Sequence, residues 1–119
     1  MKLRTDLKFN LNHNISKAIG KTLKNNKNSK IYRIFEYTKN DLMEQLKHTI
    51  PKGYAWQDYL DGRLQMDHII PISAFNFTKH EHIDFKRCWA LSNLRLVTPK
   101  ENSIKGAKLN RPFQPALAI

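Results

Sequence analysis

The chain has 119 residues, 21 of them Lys or Arg against 10 Asp or Glu, for a formal net charge of +11. That length suits one compact domain with a modest core, and the charge favours a polyanionic partner, nucleic acid first and an acidic membrane surface second. One cysteine, Cys88, excludes an intrachain disulfide and a Cys-rich zinc site, and no apolar run reaches the ~18 residues of a membrane-spanning helix. The N-terminus lacks a signal-like apolar core, so a cytoplasmic chain is expected.

The charge is uneven. Residues 1–33 sum to +8, residues 34–98 to zero and residues 99–119 to +3. A solvated basic surface is the plain reading. Clustering at the two ends favours phosphate binding instead.

In chain order, Leu7, Leu11, Ile15, Ala18, Ile19 and Leu23 recur at helical spacing with lysines between them, and "NNKNSK" (25–30) closes the segment. This predicts a basic amphipathic helix or arm over 1–30, with Lys17, Lys21 and Lys24 as phosphate-contact candidates. Residues 31–37, "IYRIFEY", fit a short helix or a strand. "TKNDLMEQLKHTI" opens on Thr38 and Asp41 at capping-box spacing and ends at Pro51 and Gly53. "YAWQDYLDG" (54–62) reads as an aromatic-anchored loop. "RLQMDH" (63–68) reads as a strand, 78–88 as a short helix with Thr78 and Glu81 in cap spacing, and "NLRLV" (93–97) as a second strand. "TPKENSIKG" (98–106) is a compact helix, capped at Thr98 and stopped by Gly106. The tail 111–119 is expected to be irregular.

Two strands followed by a helix carry Asp67-His68, Asn93 and Asn102. Asp67 and Asn102 offer hard oxygen donors of the kind that suit Mg²⁺ or Mn²⁺. Asn102 and Lys105 share a helix face. A regular strand sends Asp67 and His68 to opposite faces, so the strand must end or twist at His68 if both serve one site. Each element alone has a plain reading: a satisfied surface pair, a turn asparagine, a solvated helical amide. His80 and His82 in "KHEH", His13 and His48 are read as surface residues, and Tyr54, Trp56 and Tyr59 as core rather than a base-stacking platform.

"DHIIPIS", "SNLRLV" and "PKENSIKG" together resemble the HNH endonucleases, and "DLMEQLKHTIPKGYAWQDYLDG" resembles a segment of small phage-type HNH proteins. The resemblance implies an α+β fold with a ββα-metal core near 63–106 inside a nuclease domain at 31–110, with basic helices before it. It implies Asp67 and Asn102 as ligands of one divalent ion, Mg²⁺ or Mn²⁺, and His68 as general base. Asn93 would brace the connecting loop and orient the histidine. Arg95 and Lys105 would neutralise flanking phosphates of DNA, although Arg95 suits a solvated face equally. Asn at the last motif position is the variant found in the HNH domain of RNA-guided nucleases. Many relatives carry two Cys-X-X-Cys zinc pairs. Their absence here implies no structural zinc and a fold held by packing through Trp56, Tyr59, Phe75, Phe85 and Trp89. Gln65 stands where relatives usually have Trp. The expected activity is hydrolysis of DNA phosphodiester bonds, duplex DNA being the expected partner. The other readings are a non-catalytic DNA-binding module on the same fold and a basic RNA-binding protein. Target sequence, and monomer against homodimer, stay open.

Overall fold

The structure, a computed structural model, describes residues 2–25, 27 and 29–109, and the side chains of 2–6 and 106–109 are outside the description. The chain is α+β and mostly helical. Helix α1 spans Lys2–Asn25, α2 Lys39–His48, α3 Trp56–Leu60, α4 Ile83–Cys88 and α5 Pro99–Leu109. Strands β1 (Gln65–His68) and β2 (Leu94–Val97) pair antiparallel, with Asp67 opposite Arg95 and His68 opposite Leu94. The expected tail at 111–119 lies outside the described residues.

Local chemistry explains the boundaries. Thr38 Oγ1 accepts the amide of Asp41 at 3.1 Å, and Asp41 Oδ2 accepts that of Thr38 at 2.9 Å, the reciprocal box that opens α2. Thr98 Oγ1 accepts the Glu101 amide at 3.1 Å at the start of α5. The ambiguous segment after residue 30 is a 3₁₀ turn over Lys30–Ile34, started by the Ser29 hydroxyl on the Ile31 amide.

Three expectations are corrected. Residues 54–62 hold a helix rather than a loop. Asp58 Oδ2 accepts the Ala55 amide at 2.7 Å, and Gly62, at φ +87°, turns the chain left-handed so that its own amide reaches Tyr59 O and that of Arg63 reaches Asp58 O. That is the 6→1, 5→2 pattern of a glycine-terminated helix. The predicted helix at 78–88 begins only at Ile83, because the Thr78 amide is held by His82 Nδ1 at 3.1 Å and Thr78 caps nothing. Helix α5 runs through Gly106 to Leu109. A glycine ends a helix by adopting positive φ, and among the described residues only Gly53 and Gly62 do so.

Helix α1 is part of the main core. Its Ile15, Ile19 and Leu23 are buried with Leu42 and Leu46 of α2, Phe85 and Cys88 of α4, Trp89, and Leu94 and Leu96 of β2. Trp89 is fully buried and its indole N–H donates to Asn12 Oδ1 at 3.0 Å, which satisfies both polar groups inside. The buried stripe starts later than its sequence pattern, since Leu7 is 49% exposed. Tyr59 and Phe85 are buried as expected, Trp56 and Phe75 pack at the margin, and Tyr54 faces solvent.

A two-stranded sheet leaves open edges. Helix α2 covers that of β2: Thr49 Oγ1 accepts the Leu96 amide at 2.9 Å and Gln45 Nε2 donates to Leu94 O at 3.5 Å. Among the described residues no helix is long and apolar enough to cross a membrane. Because Ile19 is fully buried between α1 and the rest, Ile19→Ala should cost about 2–5 kcal/mol. Urea unfolding measures it, and a loss below ~0.5 kcal/mol would mean that α1 is a detachable arm.

Candidate active site

Helix α5 lies over one face of the hairpin. Gln65 and Asp67, two apart on β1, share that face. Asn102 and Lys105, three apart on α5, meet them pairwise. Asn102 Nδ2 donates to Gln65 Oε1 at 3.0 Å, and Lys105 Nζ donates to both Asp67 oxygens, at 3.1 and 3.0 Å. Lys105 Nζ also reaches the His68 carbonyl. From β2, Arg95 Nε donates to Asp67 Oδ2 at 3.1 Å. The buried Asp67 carboxylate therefore sits between two cations, as a buried charge must. Arg95 and Lys105, expected to point at phosphates, are both engaged by Asp67.

Strand β1 ends at His68. Its ring turns to the other side of the sheet and meets Trp89 edge-on, centroids 4.5 Å apart at 88°. The residue is buried, and among the described residues Nε2 has no hydrogen-bond partner. Burial pushes the imidazole down to about 4, the Lys105 charge adds to that shift, and the Asp67 carboxylate opposes it. His68 is thus neutral at pH 7. It is a weaker base than an imidazole at the ordinary value of roughly 6.5.

Asn93 ends a 3₁₀ turn over Leu91–Asn93, just before β2, and is buried. Its Oδ1 accepts the Ile70 amide at 2.7 Å, its Nδ2 donates to the Ile70 carbonyl at 3.1 Å and the Cys88 carbonyl at 2.9 Å, and its own carbonyl accepts the Ile69 amide at 2.8 Å. The residues that follow His68 are fixed by one asparagine, with the Ile69 and Ile70 side chains left exposed.

A cleft of about 710 Å³ runs along β1. Lys17, Lys21 and Lys24 of α1 line one side, and Met66, Asp67, His68, Asn102 and Lys105 line the other. Residues from both faces of β1 take part, so the cleft follows the edge not paired with β2. All the expected site residues except Asn93 and Arg95 line it. Asn93 stands behind His68 and Arg95 behind Asp67. Four ammonium groups and one carboxylate make the lining strongly basic. His13, His48 and His82 are exposed and His80 is partly exposed, all outside this lining.

Two features of the site go beyond the sequence motif: Gln65 holds the Asn102 amide, and Arg95 is placed on Asp67. The available signal was spacing: Gln65 two residues from Asp67 on a strand, Asn102 three from Lys105 on a helix.

As donors for a divalent cation, Asp67 and Asn102 fit. They offer a carboxylate and an amide, and the Asn102–Gln65 bond uses the amide nitrogen and leaves the oxygen as donor. No group of three or more His, Cys, Asp or Glu suited to a metal occurs among the described residues. An ion held by Asp67 and Asn102 would complete its shell with water or phosphate oxygens, as Mg²⁺ commonly does.

The depressed His68 value sets a stability slope. The unfolded imidazole takes a proton below about 6.5 and the folded one only below about 4. Stability is therefore full above 6.5 and falls as the pH drops towards 4, by on the order of 3 kcal/mol. His68→Phe should remove this component. Urea unfolding of both proteins between pH 7.5 and 4.5 checks it, and parallel curves would refute the assignment. No family model matches this chain, and neither the curated proteins nor the solved structures contain a significant match, so the reading of this cleft stands on its own residues and geometry.

Proposed function

We propose that the chain is a divalent-metal-dependent endonuclease of the HNH type, hydrolysing DNA phosphodiester bonds on a ββα-metal core formed by β1, β2 and α5. One observation carries this reading. Asp67, His68 and Asn102 share a single basic cleft with Lys17, Lys21 and Lys24, residues far apart in the sequence that the packing of α1 on the core brings together.

In this reading the lysines of α1 hold the phosphate backbone along the cleft. A ring nitrogen of the neutral His68 takes a proton from the attacking water. Burial of the ring keeps that nitrogen unprotonated at neutral and mildly acidic pH. Asn93 fixes the backbone after His68, so the imidazole is set before substrate arrives. Asp67 and Asn102 would hold the ion, which supplies charge neutralisation for the phosphate and the leaving oxygen.

A second reading has one observation in its favour. Asp67 is already neutralised by Arg95 and Lys105, as it would be in a non-catalytic nucleic-acid-binding module. Nicking of supercoiled plasmid separates the two. Cleavage should require Mg²⁺ or Mn²⁺ and stop with EDTA. His68→Ala should lower it about 10²–10⁴-fold with DNA binding retained, and Asp67→Ala should fail even at high metal. Asn102→His should keep some activity, whereas wild-type cleavage by Asn102→Ala would remove Asn102 from the site. An absence of metal-dependent nicking by the folded wild type decides for the binding module.

Replacing Lys17, Lys21 and Lys24 with Gln tests the cleft wall. Each lost phosphate contact should lower the salt slope of log K by about 0.9 on duplex DNA, alike on all sequences. An unchanged slope would leave α1 a solvated face. Stronger competition by RNA than by duplex DNA would redirect the reading to RNA.

A further inference from the structure

Lys105 is held as if it were a bound ion. Its ammonium contacts both Asp67 oxygens and the His68 main-chain carbonyl, and its side chain is only 21% exposed. The two oxygens of one carboxylate and a main-chain carbonyl are hard oxygen donors, the class that also binds Mg²⁺ and Mn²⁺. Arg95 independently grips Asp67 Oδ2, so the carboxylate stays oriented without Lys105. Asn102, a ligand-type amide, sits three residues before Lys105 on the same helix face.

The geometry points to Lys105 as a tethered resident cation that exchanges with the divalent ion at Asp67. This rests on the proposed metal role of Asp67 and Asn102 and adds a regulator of that site. Without metal, Lys105 keeps a buried carboxylate compensated. A divalent ion and an ammonium cannot share the same two oxygens without strong like-charge repulsion. Metal entry therefore drives the lysine off. The released ammonium stays in the cleft beside Lys17, Lys21 and Lys24, where phosphate is the available anion. Lysine suits this exchange because its charge is compact and its stem flexible. Lys105 is thus a positioning residue that tunes metal affinity through Asp67.

The test is Mn²⁺ binding followed by electron paramagnetic resonance, without DNA, on wild type, Lys105→Gln, Lys105→Arg and Asp67→Asn. Removing the competing cation should raise Mn²⁺ affinity about 10-fold or more. Lys105→Arg keeps a cation and should stay near wild type, and Asp67→Asn should lose binding. A merely structural lysine would give weaker binding on removal. If Asp67→Asn loses Mn²⁺ while Lys105→Gln binds no more tightly than wild type, the exchange is overturned and the metal site stands. If neither wild type nor Lys105→Gln binds Mn²⁺, the metal reading fails and the exchange fails with it. A measurement on the wild type covers a variant that does not fold. In ¹H–¹³C spectra the Lys105 ε-methylene signal, assigned by its loss in Lys105→Arg, should shift on Mg²⁺ titration in step with metal occupancy. A stationary signal at full occupancy overturns the proposal.

Discussion

The carboxylate of Asp67 is the junction on which the site depends. It is buried on β1, receives Arg95 from β2 and receives Lys105 from α5. A lone ionised carboxylate in that position would be strongly unfavourable. Compensation by two cations joins three elements, alongside the strand pairing of β1 with β2 and the Asn102–Gln65 hydrogen bond between α5 and β1. Each strand has four residues, and a hairpin that short is marginal by itself. The opposite-charge pair across the strands and the lysine from the helix fix its register against α5. On the far edge, Thr49 and Gln45 occupy the groups of β2 that would otherwise face solvent.

The cleft has a different origin. Ile15, Ile19 and Leu23 set one face of α1 into the core, and the Asn12–Trp89 hydrogen bond fixes its rotation. Lys17, Lys21 and Lys24 lie on the remaining face and line the cleft beside β1. Apolar burial thus decides where the charge goes. All three lysine side chains are exposed, and Lys24 Nζ lies over the Tyr59 ring, 5.2 Å from its centroid. Such a wall can take up phosphates without breaking an ion pair to any of the described residues.

The two asparagines do different work. Asn93 is buried, and its side chain and carbonyl serve the backbone of Ile69, Ile70 and Cys88, so it shapes the turn after His68. Asn102 lines the cleft, with one end of its amide fixed by Gln65. His68 is buried in a low dielectric, and among the described residues its Nε2 has no hydrogen-bond partner.

The sequence by itself determined the helices that announce themselves through caps and period: the Thr38–Asp41 box, the Thr98 cap and the apolar stripe of α1. It also determined the two strands to within two residues, because short apolar-alternating runs bounded by turn residues have few other conformations. It misjudged segments whose ends are set by nonlocal or less familiar bonds. Helix α3 depends on Asp58 and Gly62 acting at its two ends, the start of α4 on His82 holding Thr78, and the end of α5 on Gly106 remaining helical. Only the tertiary structure decided what the site residues face. Nothing local in "MDHIIPIS" says that Asp67 meets Lys105 and Arg95 while His68 turns onto Trp89. Those directions follow from which face of a two-stranded sheet each neighbour covers, and that choice is made by the burial of residues far away in the chain. The shift in the His68 proton affinity has the same cause: the residue type sets the ordinary value, and the dielectric around it is a property of the folded core.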